Sequence, residues 1–381
     1  MFQSIVTSMP MFVSGVLSVL LALSLHHRWD KPRFRLLIFM VTTTLLYLAH
    51  YIFFNHILEA IPFSDTVYCF CNPAVYPLYL IYIEELTLHR PDRSLQFVIL
   101  LPAIVCSLAV GGIYMLMNAE ETTLFITDHL YHDHYASLSG LPWLQGMAHL
   151  AVKIIFAIQI PPVLAIGLRH IKRYNKIVEA NYSDTEGKTL TPIRTLLVLF
   201  VVVSLLSFLC NIIGRYRFTD SSALLAFPSI TFSLLILLIG HIGLQQDFHI
   251  QNITDSIEAE ESSKQQQPQN ERQALSENLR RLVEAEHIYL QPNLKLEDLA
   301  KHLNTNRAYI YNVINTDMGM SFSEYINRKR IEHATRLIEQ NPNLLLADIA
   351  TMSGFSSISA FYRNFKLYKH CSPSEYQLHK K

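Results

Sequence analysis

Two groups of side chains in this chain have the types and spacing to do chemistry. The first lies near the C-terminus. Arg307, Ala308, Tyr311, Asn312 and Asn315 fall on one face of a short helical pattern, opposite Ile310, Val313 and Ile314. Ser359, Tyr362, Arg363 and Lys366 repeat the arrangement opposite Phe361 and Phe365, with Ser356 or Ser357 as the helix cap. Arginine offers a fork of donors that matches a guanine edge, asparagine a donor–acceptor pair for adenine, and lysine a point charge for phosphate. The second group is His129, His132 and His134 with Asp128 and Asp133, followed by His149 and Lys153. Such a loop binds zinc or copper, titrates near neutrality, or is merely solvated. No metal is assigned to it. His149 and Lys153 lie one turn apart, and with the three loop histidines they are the candidate signal site. A lysine within an apolar run either marks function or snorkels to the surface. HExxH, GxSxG, Walker and kinase signatures are absent from the sequence, so neither an enzyme nor a cofactor is expected.

The elements that must position these residues are mostly apolar. Half of the 381 residues are hydrophobic and 16% are charged, which points to membrane spans. Seven stretches are long enough: about 4–25, 36–58, 66–83, 95–117, 147–168, 193–213 and 222–244. The third is the weakest, being short and carrying Asn72, Pro73 and Pro77. The odd-numbered loops hold twelve basic residues (Arg28, Lys31, Arg33, Arg35, Arg90, Arg93, Arg169, Lys172, Arg173, Lys176, Lys188, Arg194), and the even-numbered loops hold only Arg215 and Arg217. Basic loops stay in the cytoplasm, so the N-terminus is expected outside and residue 245 onward inside. The first apolar stretch lacks a basic leader and an A-x-A site, and it reads as a retained span. Cys69, Cys71, Cys106, Cys210 and Cys371 have no paired spacing and are expected to pack as apolar groups.

Residues 245–270 carry five acids and one base, are rich in glutamine and end near Pro268. The second part reads as a flexible linker. The first part reads either as a helical extension with a seam of Ile250, Ile253 and Ile257, available to pair two copies, or as a frayed helix end. From about 274 the pattern becomes that of short amphipathic helices. Leu296, Leu299 and Ala300 form one helix, a polar turn follows, and Asn306 caps the next at about 307–316. Ser321 and Glu324 open a long helix over 321–340. Leu346, Ile349 and Ala350, the turn Ser353–Gly354–Phe355 and a final long helix then repeat the layout, which is that of the helix-turn-helix. The net charge of this region, 15 bases against 12 acids, is mild for a nucleic-acid binder.

The stretch DIATMSGFSSISAFYRNFKLYKHCSPSEYQ (348–377) resembles the signature of the AraC/XylS family of bacterial transcription regulators, and 294–338 resembles that family's first unit. Shared anchors include Leu299-Ala300, Gly319, Arg330, Ala334, Ile349-Ala350, Gly354-Phe355, Phe361, Arg363, Pro373 and Tyr376. The chain departs from the pattern at Asn312, Ile314, His370 and Gln377. The resemblance implies seven helices and two recognition helices held by the 321–340 helix. It also implies Arg307, Ala308, Tyr311 and Asn312 as DNA contacts of the first, and Ser357, Ser359, Tyr362, Arg363 and Lys366 as those of the second.

The expected architecture is all-α. A seven-span membrane domain (1–244) is followed by a linker (245–270) and a cytoplasmic double helix-turn-helix domain (271–381). The expected function is a regulator in the bacterial inner membrane that couples a membrane signal to promoter binding. Its expected partners are double-stranded DNA, the lipid bilayer, RNA polymerase, a second copy of the chain and an unidentified signal ligand. The rival readings are a receptor or transporter with a partner-docking tail, and a DNA binder on a passive anchor.

Overall fold

The computed structural model describes residues 2–132, 138–213, 222–253 and 269–380. Among them it is 82% helical and has no strand. The chain divides into two compact units. One comprises Met1–Ile171 with Leu190–Asp247, the other Lys172–Thr189 with Phe248–Lys381. The segment 172–189, which links two apolar helices in sequence, therefore packs with the C-terminal unit.

The apolar unit is built from α1 (Phe2–His27), α2 (Lys31–Phe54), α3 (Ile61–Thr87), α4 (Arg93–Leu116), the short α5 (Ala119–Leu124), α6 (Gly140–Asn181), α7 (Thr191–Ile213) and α8 (Ser222–Gln245). Among the described residues six helices are long and apolar enough to cross a membrane. The sixth expected span corresponds to α7, whose apolar stretch among the described side chains is Thr191–Leu205. The third span is the least conspicuous in sequence but the most enclosed, with 72% of its apolar window buried. Pro62 in its first turn starts it at Ile61, and Pro73 and Pro77 sit inside it. Packed against both α2 and α4, it tolerates the backbone bonds these prolines remove. Helix α6 runs for 42 residues, about 63 Å at 1.5 Å per residue. Arg169, Lys172, Arg173 and Lys176, expected in a loop, ride on it.

Buried carboxylates at the end of α3 give two of the basic loop residues a structural task. Arg93 grips both oxygens of Glu85 at 3.0 Å, Gln96 Nε2 donates to Glu84 Oε2 at 3.0 Å, and Arg35 lies 3.9 Å from Glu85. Of the two readings left open past residue 245, the helical extension is not seen among the described residues. The Arg33 guanidinium donates to the Leu244 carbonyl at 3.1 Å and pairs with Asp247 at 2.5 Å, closing α8. Ile250–Ile253 is a single 3-10 turn. Ile250 and Ile253 are both buried within the chain, which removes them from an exposed seam. Ile257 lies outside the described residues.

The C-terminal unit contains α9 (Gln269–Glu284), α10 (Leu296–His302), α11 (Arg307–Asn312), α12 (Phe322–Gln340), α13 (Leu346–Met352), α14 (Ile358–Lys369) and α15 (Pro373–Leu378). Two apolar cores share α12. Phe322, Tyr325 and Ile326 enter the first core with Leu279, Leu299, Ile310 and Ile314. Ile331, Ala334 and Ile338 enter the second with Ile349, Phe361 and Phe365. Between the two sets sits Arg330, 1% exposed. Its Nε donates to the Tyr289 carbonyl at 2.7 Å and its Nη2 to the Gln291 carbonyl at 2.6 Å, and its guanidinium lies over the Phe355 ring. Burial lowers its pKa to about 10, against the opposing pull of Asp184, so it stays charged at neutral pH. Gly354 completes the joint. At φ +81° it lies against the Leu290 backbone, and a Cβ there would come within 2.6 Å of the Leu290 carbonyl oxygen.

Candidate functional site

The two turns of the C-terminal unit are built alike, 50 positions apart. After α10, Asn304 takes a left-handed conformation (φ +46°), its N–H donates to Lys301 O and the N–H of Thr305 donates to Ala300 O. After α13, Gly354 does the same, with bonds to Thr351 O and from Phe355 to Ala350 O. This double closure satisfies the last carbonyls of each short helix and redirects the chain. A cap then starts each following helix. Asn306 accepts from Ala308 N at 3.0 Å, and Ser357, not Ser356, accepts from Ala360 N at 3.0 Å.

The outer face of α14 is as expected for most of its residues. Ser359, Arg363 and Lys366 are exposed at i, i+4 and i+7, while Ala360, Phe361 and Phe365 point into the core. Tyr362 departs: it is half-buried, with its hydroxyl 3.0 Å from Ser374 Oγ. On α11, Arg307 and Asn312 are half-buried and Tyr311 packs against the first core. Ala308, expected outward, is 3% exposed although it lies about 200° round the helix from Ile310.

The segment between α6 and α7 meets both reading helices. Tyr182 forms an antiparallel bridge with Lys295, and Ser183 donates its N–H (3.1 Å) and its hydroxyl (2.7 Å) to the Leu294 carbonyl. The Ser183 carbonyl accepts from Asn327 Nδ2 at 2.8 Å. Arg307 donates to Asn181 Oδ1 at the start of α11. At the start of α14, Ser356 donates to Asp184 and Ser357 to Glu186 Oε2, the latter at 2.6 Å. Sequence reading counted this segment only for its basic residues and missed the contacts.

A family described as a helix-turn-helix domain matches residues 299–379, which cover both turns. The Msm operon regulatory protein of Streptococcus mutans is 36% identical over 91 residues, 24% of this chain and 32% of that protein. The lactose operon transcription activator of Staphylococcus xylosus is 29% identical over 105 residues, 28% of this chain and 37% of that protein. The transcriptional activator AarP of Providencia stuartii is 37% identical over 89 residues, 23% of this chain and 65% of that protein. Residues 299–379 form an AraC-type helix-turn-helix domain. The chain spans about a third of the length of the first two of these relatives, and no solved structure matches it. Arg363 and Lys366 are both exposed, and their chemistry suits two kinds of DNA contact that substitution can tell apart. Arg363→Ala is expected to weaken promoter binding by about 1–3 kcal/mol and to relax the base preference at one position. Lys366→Ala should weaken binding to all sequences alike, because a phosphate contact carries no sequence information. Selection of binding sites from random DNA by the two variants reads the difference.

The histidines divide differently from their sequence order. His129 is 4% exposed, with its ring 5.1 Å from Phe125 and 6.4 Å from His149. His132 is exposed and bonds to the Thr127 carbonyl at 2.6 Å, so His129 and His132 do not share one face. His134 lies outside the described residues. His149 is buried, with Nε2 2.7 Å from Asp65 Oδ2 and 3.8 Å from Cys69 Sγ. Lys153 is half-buried and lines a cavity of about 480 Å³ with His50, Cys69, His129, His149 and several aromatic rings. It lies 13 positions into α6, about 20 Å along the helix from Gly140. The cavity has the size and mixed lining of a small-molecule site. Asp65 and Cys69 are the members sequence reading missed.

Proposed function

We propose that the protein is a membrane-held transcription regulator of AraC type. Its apolar unit lies in the bacterial cytoplasmic membrane with the N-terminus outside, and its reading unit lies in the cytoplasm. The observation that carries this reading is the joining, in one chain, of six helices of membrane length and a further apolar helix, α7, to an AraC-type helix-turn-helix domain; counting α7 as the seventh crossing places the two ends on opposite sides. The basic bias of the odd-numbered loops supports the orientation. Reporter fusions after residues 30, 92, 118 and 187 test it, and inside, inside, outside and inside are the expected readings. An inside reading at 118 would refute the topology.

The coupling of signal to DNA runs, in this proposal, through the segment 181–186. Asp184 and Glu186 hold the Ser356 and Ser357 hydroxyls at the start of α14, where a DNA phosphate would otherwise bind. Arg307 is engaged by Asn181 in the same way. The docked segment is thus an internal competitor for DNA, and a membrane signal that withdraws it raises promoter affinity. A second copy of the chain on adjacent half-sites would add avidity, and RNA polymerase is the partner on which such a regulator would act.

A further inference from the structure

We propose that Asp65, Cys69 and His149 form a binding site for a divalent transition metal, zinc being the ion the donors fit best. All three residues are buried, and their ligand atoms lie within 4.8 Å of one another. Asp65 and Cys69 are four apart on α3, which places a carboxylate and a thiol on one helix face, and His149 faces them from α6. Thiol, imidazole and carboxylate together are zinc donors, and three of them leave a fourth position open.

The hydrogen bonds around the three residues point the ligand atoms inward. His149 Nδ1 lies 2.8 Å from the Gln145 carbonyl oxygen. A carbonyl only accepts, so Nδ1 carries a proton and Nε2 is the atom presented to Asp65 and Cys69. This is the second-shell arrangement that fixes a metal-binding histidine. Asp65 is held in turn by the Tyr114 hydroxyl, which donates to Oδ2 at 2.9 Å. Because Tyr114 already donates there, the 2.7 Å contact between Nε2 and Oδ2 contains one shared proton. Zinc would need that pair to open to about 3.3 Å, the separation of tetrahedral ligands at about 2.0 Å from the ion.

Charge selects the ion. Without metal, the Asp65–His149 pair with its shared proton and the Cys69 thiol sum to zero. A divalent ion displaces the shared proton and the thiol proton. It leaves a carboxylate, a thiolate and a neutral imidazole around a +2 centre, again zero. An exchange of two protons for one divalent ion therefore places no net charge in an apolar helix bundle, where an uncompensated charge is costly. A monovalent ion that displaced both protons would leave one negative charge behind, so it could not draw the thiolate into the site without that cost. Cys69 and His149 also line the 480 Å³ cavity, which supplies an approach to the open coordination position.

As a signal input this site rests on the function proposed above, but its test reads metal binding directly. Purified full-length protein in lipid nanodiscs is titrated with Co²⁺, then with Zn²⁺. One Co²⁺ per chain is expected, with a thiolate-to-cobalt charge-transfer band in the near ultraviolet that zinc abolishes. Two protons should be released per ion in weakly buffered solution. Cys69→Ser should abolish the band, and His149→Gln and Asp65→Asn should each weaken binding by about 100-fold or more. Cys371→Ser should leave binding unchanged. Absence of the band in the unmodified protein overturns the proposal whatever the variants do, and so does a band that survives Cys69→Ser. Either failure leaves the membrane-held regulator standing, whereas an inside reading at residue 118 refutes that topology and leaves the metal site.

Discussion

Replacing Arg330 with methionine in the full-length protein is expected to speed hydrogen exchange of the most protected amides of α12 by two to three powers of ten. Arg330 bridges the Tyr289 and Gln291 carbonyls of the first helix-turn-helix half to Phe355 of the second. Methionine keeps most of the aliphatic stem but removes both charge-assisted donors. The Tyr289 and Gln291 carbonyls would then be left without these partners, at about 1–3 kcal/mol each. A total of about 3–4 kcal/mol corresponds to the stated rate change, since about 1.4 kcal/mol is tenfold. Arg330→Lys should recover less than half, because an ammonium cannot reach two carbonyls as a fork does. Gly354→Ala acts on the same joint from the other side, combining left-handed strain with a clash against the Leu290 backbone. The Arg330→Met and Gly354→Ala costs should sum to more than the double variant shows, because both open one seam. A change of less than about threefold in Arg330→Met would mean that water satisfies the two carbonyls and that the joint is held by packing alone.

The joint matters for reading DNA because it sets the distance between α11 and α14. Two helices entering successive major grooves on one side of a duplex must lie about 34 Å apart. α12 alone fixes the two cores along one axis, and Arg330 and Gly354 fix rotation about it. These residues are buried rather than DNA-facing, which accounts for their place among the shared anchors.

The reading half was legible because its information is local. Period, cap and turn signals fall within a few residues of each other, and the two units repeat them at 300–305 and 350–355. Ala308 is buried and Tyr311 and Tyr362 are half-buried, because helical phase does not tell what covers an outer face. The α3 boundary shows another limit. A span expected to begin at residue 66 leaves Asp65 outside as an ordinary loop acid. The helix instead begins at Ile61, with Pro62 in its first turn, and Asp65 becomes a buried carboxylate one turn from a thiol. A carboxylate on an apolar helix was the available signal. Nothing local could have revealed the segment 181–186, whose contacts join residues more than 100 positions apart.

Neutralising that segment is the second large effect. In nanodiscs, the full-length protein carrying Asp184→Asn and Glu186→Gln is expected to bind promoter DNA about 10- to 100-fold more tightly, a coupling of about 1–3 kcal/mol. The two carboxylates occupy the hydroxyls at the start of α14. DNA must displace them before a phosphate can take their place. Removing negative charge anywhere near DNA also helps binding, so Glu271→Gln with Glu277→Gln serves as the control for bulk electrostatics, and it should gain no more than a few-fold. Ser183→Val separates the two causes further. It changes no charge, yet it removes the hydroxyl bond to Leu294 at a site 1% exposed, and it should also raise affinity. If the loop variants bind DNA no better than the unmodified protein, the segment is an inert support, and signal must reach the reading helices by another route.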